Sequence, residues 1–207
     1  DVTKLDLDAN IFANTPTIDG LFQTKNDFLK AYITWQRVSM FEIGKAESLS
    51  LRNNTNIFPA NISEIEANIA LGDYNLELPS KIDEQGFPAI DYLLYGTGES
   101  ELEIVEYFIN NDNARKYLID VTSRLVNLAT EVRDDWNDGY RGTFIENDGS
   151  SATSSLNKLV NDYLFYYEKY LRAGKIGIPA GVFSGNSLPN TVEGLYSVTN
   201  SKTFFIN

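Results

Sequence analysis

The chain has neither cysteine nor histidine among its 207 residues. Without thiols there is no disulfide framework, no thiolate metal site and no cysteine nucleophile. Without imidazole, the usual nitrogen and sulfur zinc sites and the Ser-His-Asp arrangement are excluded as well. A metal would have to sit among oxygens, which favours calcium, magnesium or iron. Cations are scarce: 17 Lys and Arg face 29 Asp and Glu, for a formal charge of −12. That charge repels nucleic-acid phosphates and argues against a basic membrane-surface binder. No apolar run reaches the ~18 residues of a transmembrane segment, and no signal peptide is present. The first residue is Asp1, so a leader already removed, carrying a lipid anchor, is one expectation, and trimming is another. A glycine-rich phosphate loop, an internal repeat and a sustained period-two strand pattern are also missing.

What the chain does have is apolar content, 43% of residues, enough for a sizeable core, and long stretches of helical periodicity. Thr24 followed by Asp27 resembles a capping box, and Phe28, Ala31, Tyr32, Trp35 and Val38 then recur at steps of three and four, to about Gly44. Asn61 or Ser63 caps a helix through Ile65, Ile69 and Leu71 to Gly72. A short helix from about Glu99 carries Leu102, Val105 and Ile109. Caps at Asn111 to Asn113 precede the clearest stripe, Ala114, Leu118, Val121, Leu125, Leu128 and Val132. Its length of roughly 24 residues corresponds to ~36 Å. Ser154 or Ser155 opens a last long helix, with Leu159, Val160, Tyr163, Leu164, Tyr167 and Leu171 directed inward. The expected fold is an all-α helical bundle with its core on the helices starting near Thr24, Asn113 and Ser155. Residues 1–19 read as an irregular arm, 20–174 as the bundle domain and 175–207 as a Gly and Pro linker leading into a further helix. The acids from Glu131 to Asp138 oppose the dipole of the helix they close, but they lack the spacing of an EF-hand loop and read as a solvated end.

The stretch from Gly86 to Gly96 organises the rest. It reads as a short buried helix with Pro88 in its first turn and Gly96 as the left-handed residue that closes it. Ile90, Leu93 and Leu94 share one face, and Asp91 is a lone carboxylate among apolar and aromatic neighbours. A buried acid is either protonated or ionised beside a donor, which is a backbone amide or an arginine. Arg37, on the first striped helix, is the expected donor, since a guanidinium grips a carboxylate with two parallel bonds.

Gly86-Phe87-Pro88-Ala89-Ile90-Asp91-Tyr92-Leu93-Leu94-Tyr95-Gly96 resembles the signature segment of the imelysin-like family, Gly-x-His-x-x-Glu followed by an aromatic-leucine-leucine run. Gly86 matches the glycine, while Pro88 stands at the histidine and Asp91 at the glutamate. Trp35-Gln36-Arg37-Val38, Phe41-Glu42-Ile43-Gly44, Ile57-Phe58-Pro59 and Lys175-Ile176-Gly177-Ile178-Pro179 extend the likeness from about Trp35 to about Tyr196. The resemblance implies two related helical bundles with a cleft between them, of which this chain would carry the first and the linker into a second, missing one. It also implies the bacterial periplasm or cell surface, in a family that includes metallopeptidases and components linked to iron uptake and polysaccharide binding. The candidate motif and ligand-binding residues are Gly86, Pro88, Asp91, Trp35 and Arg37. Two readings follow. One is a noncatalytic envelope binding protein for a small molecule, a metal or a polysaccharide, linked to uptake of iron or another nutrient; the lost histidine, the acidic charge and the aromatic last helix favour it. The other is a metal-dependent, peptidase-like hydrolase whose divalent cation or iron is held by Asp91, Glu84 and another acid.

Overall fold

The computed structural model describes residues 1–206, with the backbone alone for Thr199, Phe205 and Ile206; Asn207, at the end of the expected linker, lies outside the described residues. In chain order the helices are α1 (Val2–Asn14), α2 (Ile18–Val38), α3 (Lys45–Ser48), α4 (Leu51–Thr55), α5 (Ile62–Leu71), α6 (Gly86–Tyr95), α7 (Glu101–Asn110), α8 (Asp112–Asp135), α9 (Arg141–Glu146), α10 (Ser155–Phe165) and α11 (Val198–Ile206). Among the described residues there is no strand, and the fold is the expected all-α bundle.

The first nineteen residues are not an irregular arm. Leu5, Ala9, Phe12 and Ala13 fall at helical spacing and are fully or almost fully buried, which makes α1 a core helix packed against α2 and α8. Polar residues between them hide this stripe in the sequence, and the apolar Leu7 and Ile11 point to solvent. α2 begins six residues before Thr24. Thr17 caps it, its hydroxyl accepting from the Gly20 amide at 3.1 Å. Thr24 is buried within the helix, where its hydroxyl donates to the Gly20 carbonyl at 2.8 Å.

α8 runs the expected length and is capped by Asn111, whose side chain accepts from the Ala114 amide at 3.0 Å. Its buried residues Ala114, Leu118, Val121, Leu125 and Leu128 face α1 and α6. In α7 the core face is Ile104, Val105 and Phe108; Leu102 and Ile109 are exposed.

α6 sits at the centre, buried from Gly86 to Leu94. Its left-handed residue is at the start rather than the end. Gly86 has φ +74°, and a Cβ there would lie 2.1 Å from the Thr55 carbonyl oxygen, so only glycine fits. Gly96 has φ −106° and closes no left-handed turn. It is small because a Cβ would meet the rings of Tyr92 and Tyr196 at 2.6 Å.

The helix from Ser155 is the other correction. Ser154 caps it as expected, but Val160, Tyr163, Leu164 and Tyr167 are each about half exposed, so this helix adds nothing to the core. α10 continues as a π-type stretch, Tyr166–Gly177. The side that meets the bundle is Asp162, Tyr166 and Tyr170, four residues apart, and it docks through polar contacts. The acidic end of α8 enters a π-type turn, Trp136–Tyr140, with most of its acids in solvent. Of the expected linker, 175–207, the described residues do not lead away but fold back onto the bundle. Phe204 is buried, with its ring 4.1 Å from that of Tyr32.

Candidate functional site

The return of the C-terminal segment decides the environment of Asp91. α6 places this carboxylate, 2% exposed, against the residues that lead into α11. Oδ2 accepts from the Tyr196 amide at 2.9 Å and Oδ1 from the Ser197 amide at 3.2 Å. These amides precede the first turn of α11, at its positive end, so the acid serves that helix as a cap supplied from another element. Burial pushes the Asp91 pKa from 3.8 up to about 6; the Ser197 and Tyr196 donors oppose the shift, and the nearby Glu193 charge adds to it. Arg37 is not the donor. It stands on the exposed side of the last turn of α2, away from this buried pocket of amides.

Glu84, the second proposed metal ligand, is also buried, but it has its own partners. It accepts from Asn68 Nδ2 at 2.6 Å and pairs with Lys81 Nζ at 2.9 Å. The structure therefore gives Asp91 and Glu84 separate partners instead of one shared centre. Among the described residues no three acidic side chains come together as metal ligands. Pro88 offers no ligand atom in the first turn of α6. The residues present do not fit a bound metal at the central segment.

Beside Asp91 lies a buried polar seam that the sequence did not suggest. Glu193, 4% exposed, accepts through Oε1 from Gln36 Nε2 at 2.8 Å and from Asn56 Nδ2 at 2.7 Å. Lys175 Nζ lies 2.8 Å from Glu193 Oε2 as an ion pair, off the direction of a hydrogen bond. It donates instead to Gln36 Oε1 and to the Phe204 carbonyl, both at 2.7 Å. Tyr32 donates to Asn56 Oδ1 at 2.6 Å. Burial first, then the charges of Glu193 and Asp91, hold its hydroxyl well above the usual phenol range, so it stays a donor.

Arg52 anchors the other end of this seam. It is 2% exposed. Its guanidinium donates to Asp162 at 2.5 Å, Glu42 at 3.1 Å and the carbonyls of Ser39 and Met40 at 2.5 and 2.9 Å. The rings of Tyr166 and Tyr170 cover it at 5.4 and 5.3 Å. A cavity of ≈ 20 Å³ lies between Arg52, Trp35, Tyr166 and Glu193, room for about one water. Trp35, a sequence candidate, lines it. The seam joins side chains from 32–42, 52–56 and 162–175 with Glu193, stretches far apart in the chain, and no local motif marks it.

As chemistry, the arrangement fastens. Asp91 ties α6 to α11, Glu193 and Lys175 tie the C-terminal segment to α2, and Arg52 ties α10 to the turn after α2. The sequence model of the imelysin family matches residues 1–207, the whole chain. No curated protein and no solved structure matches it.

Proposed function

The chain belongs to the imelysin family, and on that premise we propose that it is a noncatalytic binding protein of the bacterial envelope, at the periplasm or cell surface, serving uptake of iron or another nutrient. The observation that carries the reading is the state of the signature helix. Where the family pattern has a histidine and a glutamate one turn apart, this chain has Pro88 and an Asp91 that caps α11 with both oxygens. A hydrolase of the metal-dependent type needs several ligands and a general base on one metal. Asp91 and Glu84 are each held by other groups, so the turn has become structural. The acidic surface, −12 overall, suits a cationic or neutral ligand over an anionic one.

The test is metal retention and peptide hydrolysis on the same protein. After dialysis against zinc, iron(III) or manganese and removal of free metal, the expected content is well below one ion per chain, and no cleavage of a fluorogenic peptide library should exceed that of Asp91→Asn. One tightly held ion, lost together with a measurable peptidase activity in Asp91→Ala, would overturn the proposal and favour the hydrolase.

A further inference from the structure

Two hollows lie between α8 and the stretch 74–82, with volumes of ≈ 300 and ≈ 480 Å³. Arg124 of α8 and Glu77 of that stretch line both of them. Their size is that of small-molecule sites.

Arg124 is held in place by neutral groups. Its Nε donates to Gln85 Oε1 and its Nη2 to Asn54 Oδ1 at 3.3 Å. Both acceptors are themselves fixed. Gln85, 1% exposed, donates to the carbonyls of Leu76 at 2.7 Å and Lys81 at 3.1 Å, and Asn54 donates to the Leu49 carbonyl at 2.9 Å. The guanidinium therefore stands half-buried in one orientation, yet among the described residues no carboxylate pairs with it and its Nη1 makes no hydrogen bond. Burial lowers its pKa from the usual arginine value, and the charges of Glu77 and Glu131 only oppose that shift from a distance. A half-buried cation without a counter-ion is costly, and an arginine oriented in this way is suited to grip a carboxylate.

The other charges of the two hollows decide what brings that carboxylate. Asp120 is taken up by Lys116 and the Tyr74 hydroxyl, both at 2.7 Å, and Glu131 by Lys45 at 3.3 Å. Glu77 is exposed, and among the described residues its side chain has no ion pair or hydrogen bond. One cation and one anion are thus left over, on the same walls but unpaired. A free anion would meet three acids around Arg124, whereas a molecule that carries its own cation can offer it to Glu77. Leu49, Ile82 and Leu128 give the larger hollow an apolar wall. We propose that this cleft binds a small zwitterion, an aliphatic α-amino acid or dipeptide, with its carboxylate on the Arg124 guanidinium, its ammonium on Glu77 and its hydrocarbon part against Leu49, Ile82 and Leu128. The site shares no residue with the surroundings of Asp91 and does not depend on whether the chain retains metal.

Isothermal titration calorimetry on the full chain tests this with L-leucine and L-leucyl-L-leucine, whose two charges differ in separation. Each is measured beside its N-acetylated form, which lacks the cation, and its amide, which lacks the anion. One of the two zwitterions should bind saturably, at one per chain, and at least tenfold more tightly than either of its derivatives. Arg124→Gln should abolish that binding, but it also disturbs the contacts with Gln85 and Asn54. Glu77→Gln has no partner to lose. It should melt like wild type and weaken the zwitterion at least tenfold, while the N-acetylated form binds no more weakly than before. If neither zwitterion saturates, if the N-acetylated form binds as tightly, or if Glu77→Gln binds the zwitterion like wild type, the proposal is wrong.

Discussion

Replacing Asp91 with asparagine should make the protein more stable at neutral pH, though the carboxylate accepts two hydrogen bonds. Its folded pKa is raised from 3.8 to about 6, so the folded state keeps a proton that the unfolded chain releases. Stability from this group is therefore full below about pH 3.8 and is lost as pH rises through about 6. Two units at ~1.36 kcal/mol each give a loss of about 3 kcal/mol. Asparagine has the shape of the protonated acid and does not titrate, but its Nδ2 must face one of the two amides as donor to donor, which costs about 1–2 kcal/mol at every pH. Counted from the acid limit, Asp91→Asn should then gain on wild type by about half the full difference at pH 5 and by about 3 kcal/mol at pH 7.5, so that it starts behind near pH 4 and ends ahead. The remaining carboxylates are common to both proteins and cancel in the difference. Urea unfolding followed by tryptophan fluorescence at four pH values between 4 and 7.5 measures it. A variant that is less stable at pH 7.5, with a gap widening as pH rises, would refute the reasoning: the Tyr196 and Ser197 amides would then outweigh burial, and the folded pKa would lie below 3.8.

Arg52→Met should cost about 3–5 kcal/mol in the same unfolding assay, because Glu42 and Asp162 are left half-buried without their cation; adding Asp162→Asn should cost less than the sum of the two single changes. Gly86→Ala places a Cβ against the Thr55 carbonyl at a positive φ, so a loss of more than about 2 kcal/mol is expected. A melting temperature within a degree of wild type would show that the α4–α6 contact yields.

The fold was legible where a stripe packs on a neighbour of its own kind. In α8 the apolar spacing from Ala114 to Leu128 matches the buried set, because a long helix between two others must bury one face. In α1 the same physics operated on Leu5, Ala9 and Phe12, but acids and asparagines alternate with them and the pattern is short. α10 failed in the opposite sense. Its leucines and tyrosines form a persuasive stripe, yet periodicity records only that a face is apolar, not that anything covers it. Its side toward the bundle is set by Asp162 and Tyr166, whose contacts with Arg52 and Ser39 span 110 and 127 residues.

The candidate site shows the same limit more sharply. That Asp91 is buried and needs donors could be read from Ile90, Leu93 and Leu94 beside it, since a carboxylate on an apolar helix must be neutral or paired. Which donor it takes could not, because side-chain chemistry offers arginine and the backbone offers only a position. The amides of Tyr196 and Ser197 lie 105 and 106 residues away and become available only when the segment after Gly177 turns back. Once it does, two amides at the start of a helix suit a short carboxylate rooted in α6. The seam of Gln36, Glu193 and Lys175 depends on that same turn, spanning 157 and 139 residues. α6 and the C-terminal segment therefore form one structural unit: Asp91→Ala, which removes both acceptors, or Glu193→Ala should raise amide hydrogen exchange in α11 before it does so in α8.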